Sequence, residues 1–250
     1  MYLVTGYPRL LAARMAEALA PRAEVALLVR DKDVEAAQQF ASALPHARVL
    51  EGDVSAMHLG LSTAEYRALS EECTDVVHAA ESTRLGADKL TLERVNVEGT
   101  RNVLELAQDC RKLRRVTHFS TVLVSGDREG VIAEDELSAG QSFRSFYEQT
   151  KFEAELLVRR AMGQLPCTVL RPGIVVGDSR TGEIDRLDGP YMVAGILLSA
   201  PAQTPLPLPG DGVAPLNVVP IDYVAAAAVA IHHDPRAVGR TFHVVDPNPA

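Results

Sequence analysis

Short apolar runs rich in β-branched residues alternate with longer stretches of helical periodicity through most of this chain. That alternation constrains the fold more than any other feature. Tyr2–Thr5, Glu24–Val29, Arg48–Leu50, Asp75–Ala79, Val116–Val124 and Cys167–Leu170 read as strands. Leu10–Ala20, Asp33–Leu44, Ser62–Glu72, Leu90–Cys110 and Ser145–Gly163 read as the helices between them, the first with Leu10, Leu11, Met15 and Leu19 on its apolar side. Strands apolar on both faces and joined by helices predict a parallel sheet covered on both sides. After Gly173 the texture changes. Residues 178–190 are polar and 201–215 form a Pro-rich loop, followed by Asn217–Pro220, an Ala-rich helix Ile221–Ile231 and a strand Thr241–Val245. Long irregular stretches in a compact domain usually serve as lids or binding loops. The expectation is a doubly wound α/β fold with a small C-terminal cap.

Such sheets bind ligands beyond the carboxyl ends of their strands, where the strand order reverses. Three of those ends carry polar residues. Between the first strand and first helix stands Thr5-Gly6-Tyr7-Pro8-Arg9-Leu10-Leu11-Ala12. A dinucleotide loop there wants glycines, so that backbone can approach the pyrophosphate at a helix N-terminus. Only Gly6 is present; Arg9 stands at the second glycine position and Ala12 at the third, so a plain strand–helix turn fits about as well. Arg30 ends the second strand and suits a 2′-phosphate, although Asp31 follows it and a solvated charge pair is an equal reading. Tyr147 and Lys151, four residues apart, share one helix face. An ammonium there is expected to lower the phenol from about 10 toward neutrality and let it exchange a proton with a carbonyl or hydroxyl oxygen. Thr121 could hydrogen-bond the same oxygen.

The 147–155 run, Tyr-Glu-Gln-Thr-Lys-Phe-Glu-Ala-Glu, resembles the YxxxK active-site helix of the extended short-chain dehydrogenase/reductases. Val77-His78-Ala79-Ala80 is similar to that branch's strand-four motif, residues 96–102 (Asn-Val-Glu-Gly-Thr-Arg-Asn) to its NVxGTxN helix, and 119–126 to the strand presenting its Ser/Thr. Residues 170–177, Thr181-Gly182 and 217–224 resemble the thioester-reductase and fatty-acyl-reductase subgroup. The resemblance covers nearly the whole chain. It implies a Rossmann-like core over residues 1–175 and a small substrate cap over 176–250, interleaved with the last strands in one structural domain. Carried over by position, Gly6, Tyr7 and Arg9 would line the pyrophosphate, Arg30 the adenosine phosphate, and Asp53 and Val54 the adenine. Ala79, Ala80 and Asn96 would border the cofactor's middle, with Pro172, Ile174 and Val175 beside the nicotinamide. Thr121, Tyr147 and Lys151 would be catalytic. Arg9 would either obstruct the cofactor or bind its phosphate. His78 is expected in the core, and His232 and His233 are expected to be solvated.

These residues imply hydride transfer with NADP(H), in preference to NAD(H), to or from a carbonyl, alcohol or acyl thioester, with no metal. A cofactor-sensing or interaction protein on a degenerate reductase scaffold is the alternative. A nucleotide-sugar epimerase or dehydratase ranks third, because Val122 and Leu123 follow Thr121 where the dehydratases carry an acidic pair. The formal charge of −8 disfavours nucleic acid as a partner. The longest apolar runs, near Val224–Ile231 and Met192–Ala200, fall short of the ~20 residues a membrane span needs. Cys73, Cys110 and Cys167 stand in no ligand spacing and read as buried free thiols of a cytoplasmic protein. A small molecule or acyl thioester is the expected partner, with a homodimer left open.

Overall fold

The computed structural model describes residues 1–83, 87–184, 186–187, 189–201 and 216–249. The Pro-rich loop expected over 201–215 therefore lies, except for Pro201, outside the described residues. The strands are β1 (Tyr2–Thr5), β2 (Val25–Val29), β3 (Ala47–Glu51), β4 (Asp75–His78), β5 (Arg115–Phe119) and β6 (Cys167–Pro172). Between them run α1 (Leu10–Leu19), α2 (Val34–Ser42), α3 (Thr63–Glu72), α4 (Lys89–Leu92), α5 (Gly99–Asp109) and α6 (Phe146–Ala161). Then come β7 (Ile174–Val176), α7 (Pro190–Ser199), β8 (Val218–Pro220), α8 (Ile221–His233) and β9 (Thr241–Val244).

Seven strands form one sheet in the order β3-β2-β1-β4-β5-β6-β9, with every neighbouring pair parallel. The chain winds outward from β1 to β3 and then returns to β4 on the other side. The β1/β4 boundary is thus the point at which strand order reverses. Both sheet faces are buried. Ala12, Met15 and Leu19 of α1, Ala37 of α2 and Val224 and Ala228 of α8 cover one face; Leu69 of α3, Val103 and Leu106 of α5 and Val158 of α6 cover the other. Two-sided cover explains why β1, β2, β4, β5 and β6 are buried at every residue.

Two stretches depart from the sequence reading. The fifth strand stops at Phe119 instead of continuing to Val124, because the Thr121 hydroxyl accepts from the Leu123 amide and caps a 3₁₀ turn over Val122–Ser125. The helix expected over Leu90–Cys110 is carried by α4 and α5, with a π-helical segment over Glu93–Glu98 between them. The start of α3 matches its sequence: Ser62 and Glu65 form a reciprocal capping box.

The C-terminal part returns to the core. β9 pairs with β6, α8 packs on the sheet face shared with α1, and β8 pairs with β7 in a separate two-stranded sheet. Among the described residues, only α7 stands apart, with no buried residue and with Met192, Ile196 and Leu198 exposed. Among the described residues, no helix is long and apolar enough to cross a membrane.

Candidate active site

At the reversal point the β1–α1 loop passes against the end of β4. Gly6 adopts φ +108°, and a Cβ there would lie 2.7 Å from the Ala79 carbonyl and 2.8 Å from the Ala80 nitrogen. Glycine is required by that backbone conformation and by the close approach of β4. Beyond it opens a cavity of about 380 Å³, lined among others by Gly6, Tyr7, Arg9, Arg30, Asp53, Val54 and Ala80. A second cavity of about 90 Å³ is lined by Ala79, Val175 and Tyr191, among others, and shares Arg9, Glu81 and Arg186 with the first. The larger volume lies in the usual range for small-molecule sites.

Seven of the twelve residues expected to bind a cofactor thus line the larger space, and Ala79 and Val175 line the smaller. Asn96, Pro172 and Ile174 line neither. Asn96 is instead a buried clamp. Its Oδ1 accepts from the Ser82 amide at 2.7 Å, while its Nδ2 donates to the Ser82 carbonyl and to Thr150 Oγ1 of α6. Arg9 donates to Thr83 Oγ1 at 3.1 Å, turning its guanidinium toward the segment after β4. Arg30 pairs with Asp33 at 3.1 Å, not with the adjacent Asp31.

Thr121, Tyr147 and Lys151 converge at the same edge. Ser145 caps α6 by accepting from the Glu148 amide, which sets Tyr147 in the first turn and Lys151 one turn on. The Lys151 Nζ donates to the Phe119 carbonyl at 2.6 Å, two residues before Thr121. It also pairs with Glu81 Oε2 at 3.0 Å, and the Tyr147 hydroxyl donates to that oxygen at 3.2 Å. Burial, and then the Glu81 charge, hold the Tyr147 phenol well above its ordinary value, with Arg9 and Thr121 acting in the opposite direction. The expectation that Lys151 would bring it toward neutrality is corrected. At neutral pH this phenol keeps its proton.

Beneath the lysine lie His78 and His118, both buried. His78 bridges Thr5 Oγ1 and Thr100 Oγ1 at 2.8 and 3.0 Å, and burial followed by the Lys151 charge lowers it to about 3. It belongs to the core, as expected. His232 does not match its solvated reading: it is buried against Thr117 and Asp75, while His233 is exposed.

The donor set fits the phosphates of a dinucleotide. Arg9, Arg30, Lys32 and Arg186 line the larger cavity and suit phosphate, while the Asp53 carboxylate can accept from a hydroxyl or amino group. Sequence reasoning missed Glu81, among the described residues the one carboxylate touching both Tyr147 and Lys151. Its signal was only its place, three residues after His78 at the sheet's carboxyl edge.

The sequence matches the family described as Male sterility protein over residues 4–228. It is 28% identical over 204 residues to a subunit of linear gramicidin synthase from Brevibacillus parabrevis, covering 79% of this chain and 4% of that protein. It is 27% identical over 210 residues to Fatty acyl-CoA reductase wat from Drosophila melanogaster, covering 73% of this chain and 40% of the relative. The terminal R domain from the myxalamid PKS-NRPS biosynthetic pathway superposes with a TM-score of 0.87 at 31% identity, covering all of this chain and 66% of that one. The chain thus spans well under half the length of these two curated relatives.

Proposed function

This chain belongs to the male sterility protein family, within the extended short-chain dehydrogenase/reductases, and from that premise we propose that it is an NADP(H)-dependent reductase of a carbonyl or acyl thioester. The observation that carries the reading is the convergence of Tyr147 and Lys151 on Glu81, which lines both cavities, with Thr121 bonded to Tyr147. Residues 1–175 would hold the dinucleotide, and 176–250 would border the substrate.

When bound, the reduced dinucleotide supplies a hydride to the substrate carbon. The chain's own residues manage the oxygen. Thr121 holds it, and Tyr147 donates its phenolic proton to it as carbonyl becomes hydroxyl. The ammonium of Lys151 stabilises the phenolate left behind, and that proton is then replaced from solvent. Burial raises the phenol above its ordinary value, which keeps its proton available for this direction. Arg30 would face the 2′-phosphate and favour NADPH over NADH.

A binding-only scaffold is the second reading, favoured by the Glu81 carboxylate that occupies both Tyr147 and Lys151. NADPH oxidation across a panel of aldehydes, ketones and acyl thioesters separates the two. The reductase reading predicts turnover of at least one class, reduced about 10²–10⁴-fold by Tyr147→Phe with NADPH binding retained. If wild type binds NADPH, turns over nothing and binds no better than Tyr147→Phe, the scaffold reading replaces it.

A further inference from the structure

We propose that Glu81 is a latch on the Tyr147–Lys151 pair, holding the ammonium until a dinucleotide's ribose hydroxyls replace it, and that it thereby sets the chain's dinucleotide affinity. The inference rests on the dinucleotide reading above. It goes beyond that reading by assigning a role to a residue outside the expected binding set.

Geometry carries it. One oxygen, Glu81 Oε2, takes both the Lys151 ammonium at 3.0 Å and the Tyr147 hydroxyl at 3.2 Å. The Lys151 side chain is only 2% exposed, so an incoming hydroxyl can reach the ammonium only through the few directions left open. Phe119 closes one of these with its carbonyl and Glu81 closes another. The Glu81 side chain is itself 23% exposed and lines both cavities, so it lies between the lysine and the space a ligand enters. Arg9, Arg186 and Glu81 line both cavities, so a ligand reaching from one into the other would meet all three. Both guanidiniums there donate to the Thr83 hydroxyl, while the carboxylate is drawn toward Lys151. The two cations attract a pyrophosphate and the carboxylate opposes it.

The backbone around the latch is fixed. The Ala80 amide donates to Thr5 Oγ1, and the Ser82 peptide is held at both its amide and its carbonyl by Asn96. Release therefore needs rotation of the Glu81 side chain and no rearrangement of the loop. A protein held mostly in the latched form binds with an affinity reduced by its open fraction, and neutralising the latch removes that reduction.

Equilibrium titration with NADPH and NADH tests this on wild type, Glu81→Gln, Glu81→Ala and Lys151→Met, with the Lys151→Met/Glu81→Gln double variant closing the cycle. Glu81→Gln keeps the size of the side chain and guards against loss of fold, which the melting temperature of each ligand-free protein checks. The latch predicts that Glu81→Gln and Glu81→Ala tighten NADPH by about tenfold. In the Lys151→Met background the same change should gain about twofold or less, because no ammonium remains to be released. Wild-type binding with equal or weaker binding by both Glu81 variants overturns the latch and leaves the dinucleotide reading standing. An equal gain with and without Lys151 also overturns it, and reduces Glu81 to a repelling charge. If no folded variant binds either dinucleotide, both the latch and the reading fall.

Discussion

Lys151 and Glu155 stand four residues apart on α6, each buried against an opposite charge, yet they serve opposite ends. Glu155 is fully buried and saturated. It accepts from Ser120 Oγ at 2.6 Å, from Arg171 Nη2 at 2.8 Å and from Arg159 Nε at 2.8 Å. Burial alone would raise its carboxyl; the hydrogen bonds and charge of Arg171, together with Ser120 and Arg159, outweigh it and hold the group low. Arg171 in turn donates to the Glu136 carbonyl, so the cluster ties β5, β6, α6 and the 134–136 segment together. Lys151 shares its partner with Tyr147, and that partner faces two cavities. The same chemistry is scaffold where every lone pair is spent inside the protein, and site where one partner faces open space.

The largest expected effect would break this comparison outright if it failed to appear. Arg171→Met should cost about 3–5 kcal/mol in denaturant unfolding, because it strands a fully buried carboxylate with too few donors. Lys151→Met should cost about 1 kcal/mol or less, since the half-open Glu81 can turn to water. Similar losses for both would erase the distinction.

A third charge pair sharpens it. Arg30 and Asp33 are partly exposed, so their pairing should contribute almost nothing to the fold. Arg30→Ala should instead weaken NADPH by about 1–3 kcal/mol and leave NADH nearly unchanged, as read by parallel binding titrations. Equal weakening of both dinucleotides would remove Arg30 from the 2′-phosphate.

A further expected effect concerns the histidines under Lys151. His78 is lowered to about 3, and His118, whose ring nitrogens make no hydrogen bond among the described residues, lies well below its ordinary value; burial is the main cause for both. The folded state keeps them neutral, whereas the unfolded chain takes up protons below about pH 6.5. Their contribution is therefore complete above that pH and declines as pH falls toward the folded values, by about 1.4 kcal/mol per pH unit for each. Asp75 is lowered to about 2 as the hydrogen bonds of His232, Thr74 and Arg114 overcome its burial, so its stabilisation is complete above about pH 4 and is lost only as pH falls below that. Unfolding of His118→Leu between pH 6.5 and 5 should lose one proton's worth of slope. An unchanged slope would mean that His118 is protonated in the fold.

The sheet was legible because its strands are buried on both faces, which leaves continuous apolar runs such as Val25–Val29 with no ambiguity of face. Ser62 marked a helix start, and the structure adds Glu65 to it as the second half of a capping box. Thr121 was read as a site residue and not as the cap that ends the fifth strand, since a hydroxyl that turns the chain and one that binds an oxygen look alike in sequence. His232 was misread because its burial depends on Thr117 and Asp75, distant in the chain and brought beside α8 only by the sheet. The raised phenol of Tyr147 was hidden for the same reason. Spacing along α6 shows Lys151, but the dominant charge comes from Glu81 across the sheet edge.

The claim on which the rest depends is that the cavity at the β1/β4 reversal holds a phosphorylated dinucleotide, and thermal unfolding with added NADPH or NADH tests it most directly. At NADPH about 100-fold above its dissociation constant, linkage stabilises the fold by about 2.7 kcal/mol. For a chain of this size that raises the melting temperature by about 5–10 °C. The account predicts that rise with NADPH, a smaller one with NADH at equal concentration, and loss of the difference in Arg30→Ala. A melting temperature that neither dinucleotide moves, at any concentration up to the millimolar range, would contradict it.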